Sequence, residues 1–359
     1  MNKIRQLHKE WQSLQPLNEA LERDINQQFM IDFNYNSNHL EGNTLTYGQT
    51  KLLLLFGDTI GNANIQDYEE MKAHNVGLEL MKAEAKDRNR MLSEHFLREL
   101  NQTILVRDFY KTSRDGDYRY KINVGVYKTR PNSVITPTGE IFNYASPEET
   151  PSLMGDLIEW YRNEEQHGKL KVEELAALFH YRYIRIHPFE DGNGRIARLL
   201  VNYIFLRNNY PMLVIRSDDR QNYLKALHHC DLFTGQIPHD GAHATLQQTK
   251  PLVDYISNIL ADKLTALVQL VKGEISELIE TKDTEKSGQK KVVRKSGRKK
   301  WSDVLELIKN NPKITRAELS DKLEINPSAV QRHIQKLKSN DSIERVGGDK
   351  GGYWKIIKK

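Results

Sequence analysis

A single cysteine, Cys230, occurs in 359 residues. One thiol closes no internal disulfide and supplies no cluster of soft metal ligands, so Cys230 is expected to be a small buried residue in a reducing compartment. Nor is there a run of about 18 apolar residues, which removes a membrane helix from consideration. The opening Met1-Asn2-Lys3-Ile4-Arg5-Gln6 is polar and lacks the apolar stretch of a secretory leader, so the expected location is cytoplasmic. Charge of one sign is also scarce overall, since 53 Lys and Arg face 48 Asp and Glu for a net +5. The surplus is local: residues 286–300 are dense in Lys and Arg, as in a solvated linker or a contact with phosphates or nucleic acid.

What is present reads as mainly helical. Phe29, Phe33 and Leu40, and again Leu78 and Met81, recur at helical spacing through the first hundred residues, and Gly42 is a helix stop. Val134-Ile135-Thr136 and Glu140-Ile141-Phe142 flank Pro137-Thr138-Gly139, the pattern of a short β-hairpin over about 133–144. Helical periodicity resumes at Leu153, runs over Val172–Ile186, breaks at His187-Pro188 and restarts after Gly194 to about Asn208. Further helices are expected at about Asp219–Leu232 and Val253–Ile279. The apolar residues then thin out over Thr281–Lys300, a flexible linker by composition. Beyond it, three short helical patterns and two strands around a glycine-rich tip (Gly347 to Gly352) have the layout of a winged helix-turn-helix. The expected division is thus an N-terminal helical region to residue 110, a core over 111–279, a basic linker over 280–300, and the winged unit over 301–359.

The segment His187-Pro188-Phe189-Glu190-Asp191-Gly192-Asn193-Gly194-Arg195-Ile196-Ala197-Arg198 concentrates chemistry in twelve residues. Gly192 and Gly194 allow a backbone nest of inward N–H groups, and the first turn of the following helix adds its free N–H groups to the same anion site. Arg195, Arg198 and Asn202 follow at helical spacing on one face. Guanidinium forks suit phosphate oxygens, Asp191 offers one hard oxygen to Mg²⁺, and His187 is the group with an unperturbed pKa near neutrality. These residues point to a nucleoside triphosphate site.

The same twelve residues resemble the Fic-domain motif HxFx(D/E)GNGRxxR at every specified position. The resemblance implies transfer of AMP from ATP to a Tyr, Thr or Ser hydroxyl of a protein, with self-modification as one outcome. It would make His187 the base, Asp191 the Mg²⁺ ligand and Phe189 a core residue. Gly192, Asn193 and Gly194 would form the phosphate cradle, with Arg195 and Arg198 as its clamp. Relatives that act as kinases replace the second glycine, so Gly194 favours AMP transfer.

Ser37-Asn38-His39-Leu40-Glu41-Gly42 resembles the family's inhibitory motif (S/T)xxxE(G/N), expected on a helix over about 27–42. By that resemblance Glu41 pairs with Arg198 and takes the place of the γ-phosphate; in some relatives the same glutamate serves AMP removal. The hairpin, through Val134, Ile135 and Thr136, resembles the flap that aligns the target by strand addition. Arg220 and Tyr223, with Asn202, fall where relatives often place an adenosine pocket.

The winged unit supports a different class of function, a DNA-binding regulator whose core senses ATP. Gln331, Arg332, Gln335 and Lys336 are candidates for a groove and Lys350 for a phosphate, although such units also dock proteins. The linker and appended unit would equally allow a homodimer.

Overall fold

The computed structural model describes residues 3–113, 116–135, 141–287, 301–323, 330–331, 334–335, 337–338, 343–347 and 352–357. The chain divides into two compact units, Met1–Glu277 and Leu278–Lys359.

The first unit opens with α1 (Lys3–Ser13), α2 (Glu19–His39), α3 (Tyr47–Phe56), α4 (Ile65–Lys86) and α5 (Glu94–Leu105). Local chemistry fixes these starts. Asn18, Asn64 and Ser93 each accept a backbone N–H of the helix they precede, and Thr46 with Gln49 forms a reciprocal capping box on α3. Two hairpins follow, β1 (Phe109–Thr112) with β2 (Arg119–Ile122) and β3 (Ser133–Ile135) with β4 (Ile141–Asn143). Both are antiparallel, with Lys111 opposite Tyr120 in the first and Val134 opposite Phe142 in the second. After α6 (Thr150–His167) come α7 (Val172–Ile186) and α8 (Asn193–Arg207), then a 3₁₀ turn (Ser217–Asp219), α9 (Arg220–Thr234), α10 (Pro238–Ala242) and α11 (Lys250–Ser287).

Helices α7 and α8 are the axis of the core. Ile196, Leu199, Leu200, Val201, Tyr203, Ile204 and Phe205 bury side chains on every side of α8, which is the pattern of a fully enclosed helix. Each such aliphatic or aromatic side chain stabilises the fold by about 1.5–3 kcal/mol, and Leu200→Ala would cost about 2–5 kcal/mol because the enclosed site cannot collapse. An enclosed helix is a rigid platform, so whatever its N-terminus presents is held in place.

The expected mainly helical fold is present, with three differences of detail. Helix α2 ends at His39, so Glu41 lies in the turn after it, where Gly42 at φ +99° reverses the chain. The β1–β2 hairpin lies outside the expected elements, although Asp115-Gly116 is a recognised turn pair and Gly116 does take φ +84°. Helix α11 continues to Ser287 through the segment expected to begin the linker, because Glu and Lys propagate a helix well even where nothing apolar recurs. Residues 288–300 lie outside the described set.

In the second unit, α12 (Trp301–Asn310), α13 (Arg316–Leu323) and the antiparallel pair β5 (Ile343–Val346) and β6 (Tyr353–Ile356) surround a small core of Val304, Ile308, Leu319, Ile334 and Trp354. Residues 330–331, 334–335 and 337–338 are helical, as the expected third helix requires. Gln331 accepts a hydrogen bond from Arg316 at 2.7 Å, while Arg332, Lys336 and Lys350 lie outside the described residues.

Candidate active site

The loop between α7 and α8 is shaped from both ends. Helix α7 stops at His187, which takes φ 52° and ψ 60° directly before Pro188; proline disfavours a right-handed α conformation in the residue before it. At the far end Gly192, at φ +82°, is the N-cap of α8. Between them the Asn193 carboxamide closes the loop on itself, accepting the Phe189 N–H at 3.0 Å and donating to the Phe189 carbonyl at 2.7 Å. Asn193 thus spends its side chain on loop geometry, which leaves its backbone N–H for an anion.

Other segments brace the loop from below. Asn101 donates to the Asp191 carbonyl at 2.9 Å and accepts the Gly125 N–H at 2.8 Å. Asn132, at the base of the β3–β4 hairpin, donates to the carbonyls of His187 (3.3 Å) and Phe189 (3.0 Å). Lys128 is buried, donates to the Ile186 carbonyl and to Asn132, each at 2.9 Å, and its backbone N–H reaches the Pro188 carbonyl. Burial pushes its amine down to about 7. Phe189 is buried against Tyr127, with ring centroids 5.5 Å apart.

His187 is half-buried and stacks on Tyr144, centroids 4.0 Å apart and planes within 10°. Burial, helped by the charge of Lys128, lowers its pKa to about 3, so the imidazole is neutral at physiological pH. Its Nδ1 is buried, with the backbone of Ile184 beside the ring. A neutral imidazole held in this way has its other nitrogen, Nε2, as the atom that can accept a proton.

Asp191 is turned toward cations. Its Oδ2 meets Lys111 Nζ at 2.5 Å, and its Oδ1 meets the Gly192 N–H at 2.5 Å and Arg195 at 3.4 Å. Burial alone would raise its pKa, but Lys111 and Arg195 outweigh that and hold the carboxyl below the usual range, so it is ionised. Among the described residues no group of three His, Cys, Asp or Glu side chains is placed to hold a metal. A single ionised carboxylate fits a divalent cation whose other positions are filled by water or phosphate oxygens, and does not make a dedicated protein cage.

The two arginines are both buried and differ in occupancy. Arg198 is fully engaged: Nε donates to Ser37 Oγ at 2.9 Å, and Nη2 donates to the Ser37 carbonyl at 2.8 Å and to Glu41 Oε1 at 2.7 Å. Arg195 has buried Nε and Nη1 atoms with no hydrogen-bond partner among the described residues, although Glu70 lies 3.8 Å from Nη1. Unused donors on a buried cation beside a helix N-terminus are what a polyphosphate would fill.

At Gly194 the Glu41 and Arg198 side chains approach the backbone of α8 closely. A β-carbon on it would stand 2.2 Å from Glu41 Oε1 and 3.1 Å from Arg198 Nη1. The Glu41 carboxylate therefore lies directly over the first turn of α8, in the place of an anion.

The structure brings together His187, Asp191, Gly192, Asn193, Gly194, Arg195 and Arg198 with Ser37 and Glu41. Val134 and Ile135 lie in the expected hairpin, whose base carries Asn132 and Tyr144, bonded through Tyr144 N to Asn132 O at 3.3 Å; Thr136 lies outside the described residues. The adenosine assignments fare differently. Asn202 is not available to a base, because its Oδ1 accepts Leu213 N at 2.8 Å and its Nδ2 donates to Leu213 O at 3.0 Å; it pins the strand-like segment after α8. Tyr223 is buried with its hydroxyl 2.8 Å from His180 Nε2, whereas Arg220 is exposed at the start of α9. Sequence reasoning missed Lys111, Lys128, Asn101 and Tyr144. Of these only Lys111 had a nearby signal, the Asp115-Gly116 turn that places it on a strand.

Comparison with known proteins agrees with this geometry. The sequence profile of the Fic/DOC family matches residues 91–205, and a winged helix-turn-helix DNA-binding profile matches 302–344. Among curated proteins, the protein adenylyltransferase fic-1 of Caenorhabditis elegans is 29% identical over 214 residues. That match takes in 59% of this chain and 39% of the worm protein, so the chain spans about two fifths of that relative's length. A Fic family protein from Desulfovibrio desulfuricans shares the fold at 18% identity and TM-score 0.55, covering 100% of this chain and 97% of the other. The crystal structure of a Fic domain-containing signaling protein from Bacteroides thetaiotaomicron is 58% identical with TM-score 0.71, covering 76% of this chain and 97% of that one. With the motif, the loop and the fold in agreement, the chain belongs to the Fic/DOC family.

Proposed function

We propose that the chain is a protein adenylyltransferase that transfers AMP from ATP to a hydroxyl side chain and rests in a state restrained by Glu41. The observation that carries this reading is a pair of guanidinium groups beside a neutral imidazole: Arg198 is bonded to Glu41, while Arg195 meets Asp191 through Nη2 and keeps Nε and Nη1 without a hydrogen bond among the described residues. The curated relatives named protein adenylyltransferase support the same activity.

The chemistry then follows from the residues. The first turn of α8 and Arg195 hold the β- and γ-phosphates, and Arg198 joins them once Glu41 leaves. The oxygen of a Tyr, Thr or Ser hydroxyl attacks the α-phosphorus, its proton passes to His187, and the bond to pyrophosphate breaks. Asp191 is the residue that would hold Mg²⁺, which when bound would supply positive charge against the departing pyrophosphate. The β3–β4 hairpin aligns the target backbone, and its base is tied to the His187 loop through Asn132. Glu41 opposes all of this by occupying Arg198 and placing a negative charge where a phosphate oxygen would lie.

ATP labelled at the α-phosphate tests the reading. Glu41→Gly should label itself or a protein in a lysate, wild type weakly, and Glu41→Gly/His187→Ala not at all. Label that persists without His187 would overturn its role as base, and absence of label from Glu41→Gly under every metal and lysate condition would leave ATP sensing as the better reading.

The match of residues 302–344 to a DNA-binding profile favours a second role, contact of the winged unit with duplex DNA. The full chain should retain a labelled duplex with an affinity that falls steeply with salt, and a chain ending at residue 287 should not. Equal retention by both would end that assignment.

A further inference from the structure

The strongest cation at the proposed metal carboxylate is a residue of this chain. Lys111 lies on β1, opposite Tyr120 of β2, and its Nζ stands 2.5 Å from Asp191 Oδ2, the oxygen turned away from Gly192 and Arg195. Its side chain is 41% exposed, so it is restrained chiefly by the ion pair. Beside the pair is a cavity of about 540 Å³, lined by Lys111, Asp191 and Arg195 together with Glu70, Arg107 and Tyr110. The cavity gives the lysine somewhere to go.

We propose that Lys111 is a resident counter-ion of Asp191 that a divalent cation must displace, which makes the β1–β2 hairpin a positioning element for metal entry. This rests on the reading of Asp191 as the metal ligand. One carboxylate oxygen cannot sit in contact with an ammonium and coordinate Mg²⁺ at about 2.1 Å at the same time, because the two cations would repel each other across it. Balancing the charge in the absence of metal is equally useful to the resting protein: without Lys111 a half-buried carboxylate would keep only the Gly192 N–H at 2.5 Å and Arg195 at 3.4 Å. Once displaced, the ammonium swings into a cavity that Glu69 and Glu70 also line, so carboxylates are at hand to receive it, although Glu69 is shared with Arg107 at 2.8 Å. Glu41 and Lys111 are then two restraints of opposite sign, one on the phosphate clamp and one on the metal ligand.

The test uses the full nucleotide-free chain and Mn²⁺ as a paramagnetic substitute for Mg²⁺, following broadening of the amide signals of residues 190–195. Lys111→Met should reduce the Mn²⁺ concentration for half-broadening about tenfold, while Lys111→Arg, which keeps the charge, should match wild type. A Lys111→Met value equal to or above that of wild type overturns the proposal, including the case in which neither is broadened. Asp191→Asn separates the two layers of argument. If it abolishes broadening and Lys111→Met gains nothing, only the counter-ion role fails; if it broadens as wild type does, Asp191 is not the ligand and the reading of the site fails with it.

Discussion

Glu41 and Gly194 are in such close approach that a β-carbon on the glycine would stand 2.2 Å from Glu41 Oε1, the oxygen that also accepts from Arg198 at 2.7 Å. In the proposed reading the second glycine of the motif serves both the restrained state and the phosphate cradle, and the two roles can be separated by mutation.

Gly194→Ala should destabilise the wild-type chain by roughly 0.5–1.5 kcal/mol, because the Glu41 carboxylate has to shift and its hydrogen bond to Arg198 is weakened. In a Glu41→Gly background the same change should cost much less. Thermal unfolding of the four combinations measures the coupling, and an additive cycle would show that the close contact has no energetic weight.

Releasing Arg198 should raise AMP transfer. A charged hydrogen bond of about 1.5–3 kcal/mol converts to a gain of roughly 10- to 100-fold for Glu41→Gly. Ser37→Ala removes one donor–acceptor pair while the Ser37 carbonyl still binds Nη2, so its gain should be under about tenfold. Initial rates with labelled ATP rank them, and a larger effect at Ser37 would move the restraint away from Glu41.

Asn193→Ala should lower stability by about 1–3 kcal/mol, since it strands the Phe189 N–H and leaves the Phe189 carbonyl to Asn132 alone. Calorimetry should show a drop in Tm of several degrees, and nucleotide affinity in the Glu41→Gly background should fall because the nest loses its shape. An unchanged Tm would mean that Pro188 and Gly192 hold the loop without the carboxamide.

Lys128 gives stability a pH dependence of definite sign. Burial lowers its pKa from 10.5 to about 7, so between those values the unfolded chain binds a proton that the folded chain has released. The contribution of this residue to stability therefore rises with pH from about 7 toward 10.5, and is least favourable below 7. Relative to Lys128→Met, the wild-type chain should gain stability between pH 6 and pH 9; a difference that stays constant or shrinks over that interval would contradict the buried neutral amine.

The site was legible in unequal parts. His187 to Arg198 could be read because its chemistry is local: a proline, two glycines and helical spacing act within a dozen residues. Glu41 and Ser37 were legible only through their six-residue context, and the sequence put Glu41 on a helix that in fact ends at His39. Asn202 depends on the fold in a different way. Spacing correctly put it on the face of Arg198, but its carboxamide is consumed by Leu213, a neighbour only after the chain turns back at the end of α8.

By itself the sequence determined the helical periodicity, the loop punctuation and the set of groups that can bind phosphate, because propensity and spacing act over a few residues. Tertiary structure alone decided which charges face which. Lys111 meets Asp191 across 80 residues, Lys128 holds the carbonyl of Ile186, and Ser37 with Glu41 occupies Arg198 across some 160. Hydrogen bonds and ion pairs of that kind form wherever packing delivers their partners within about 3 Å, and linear order carries no record of that distance.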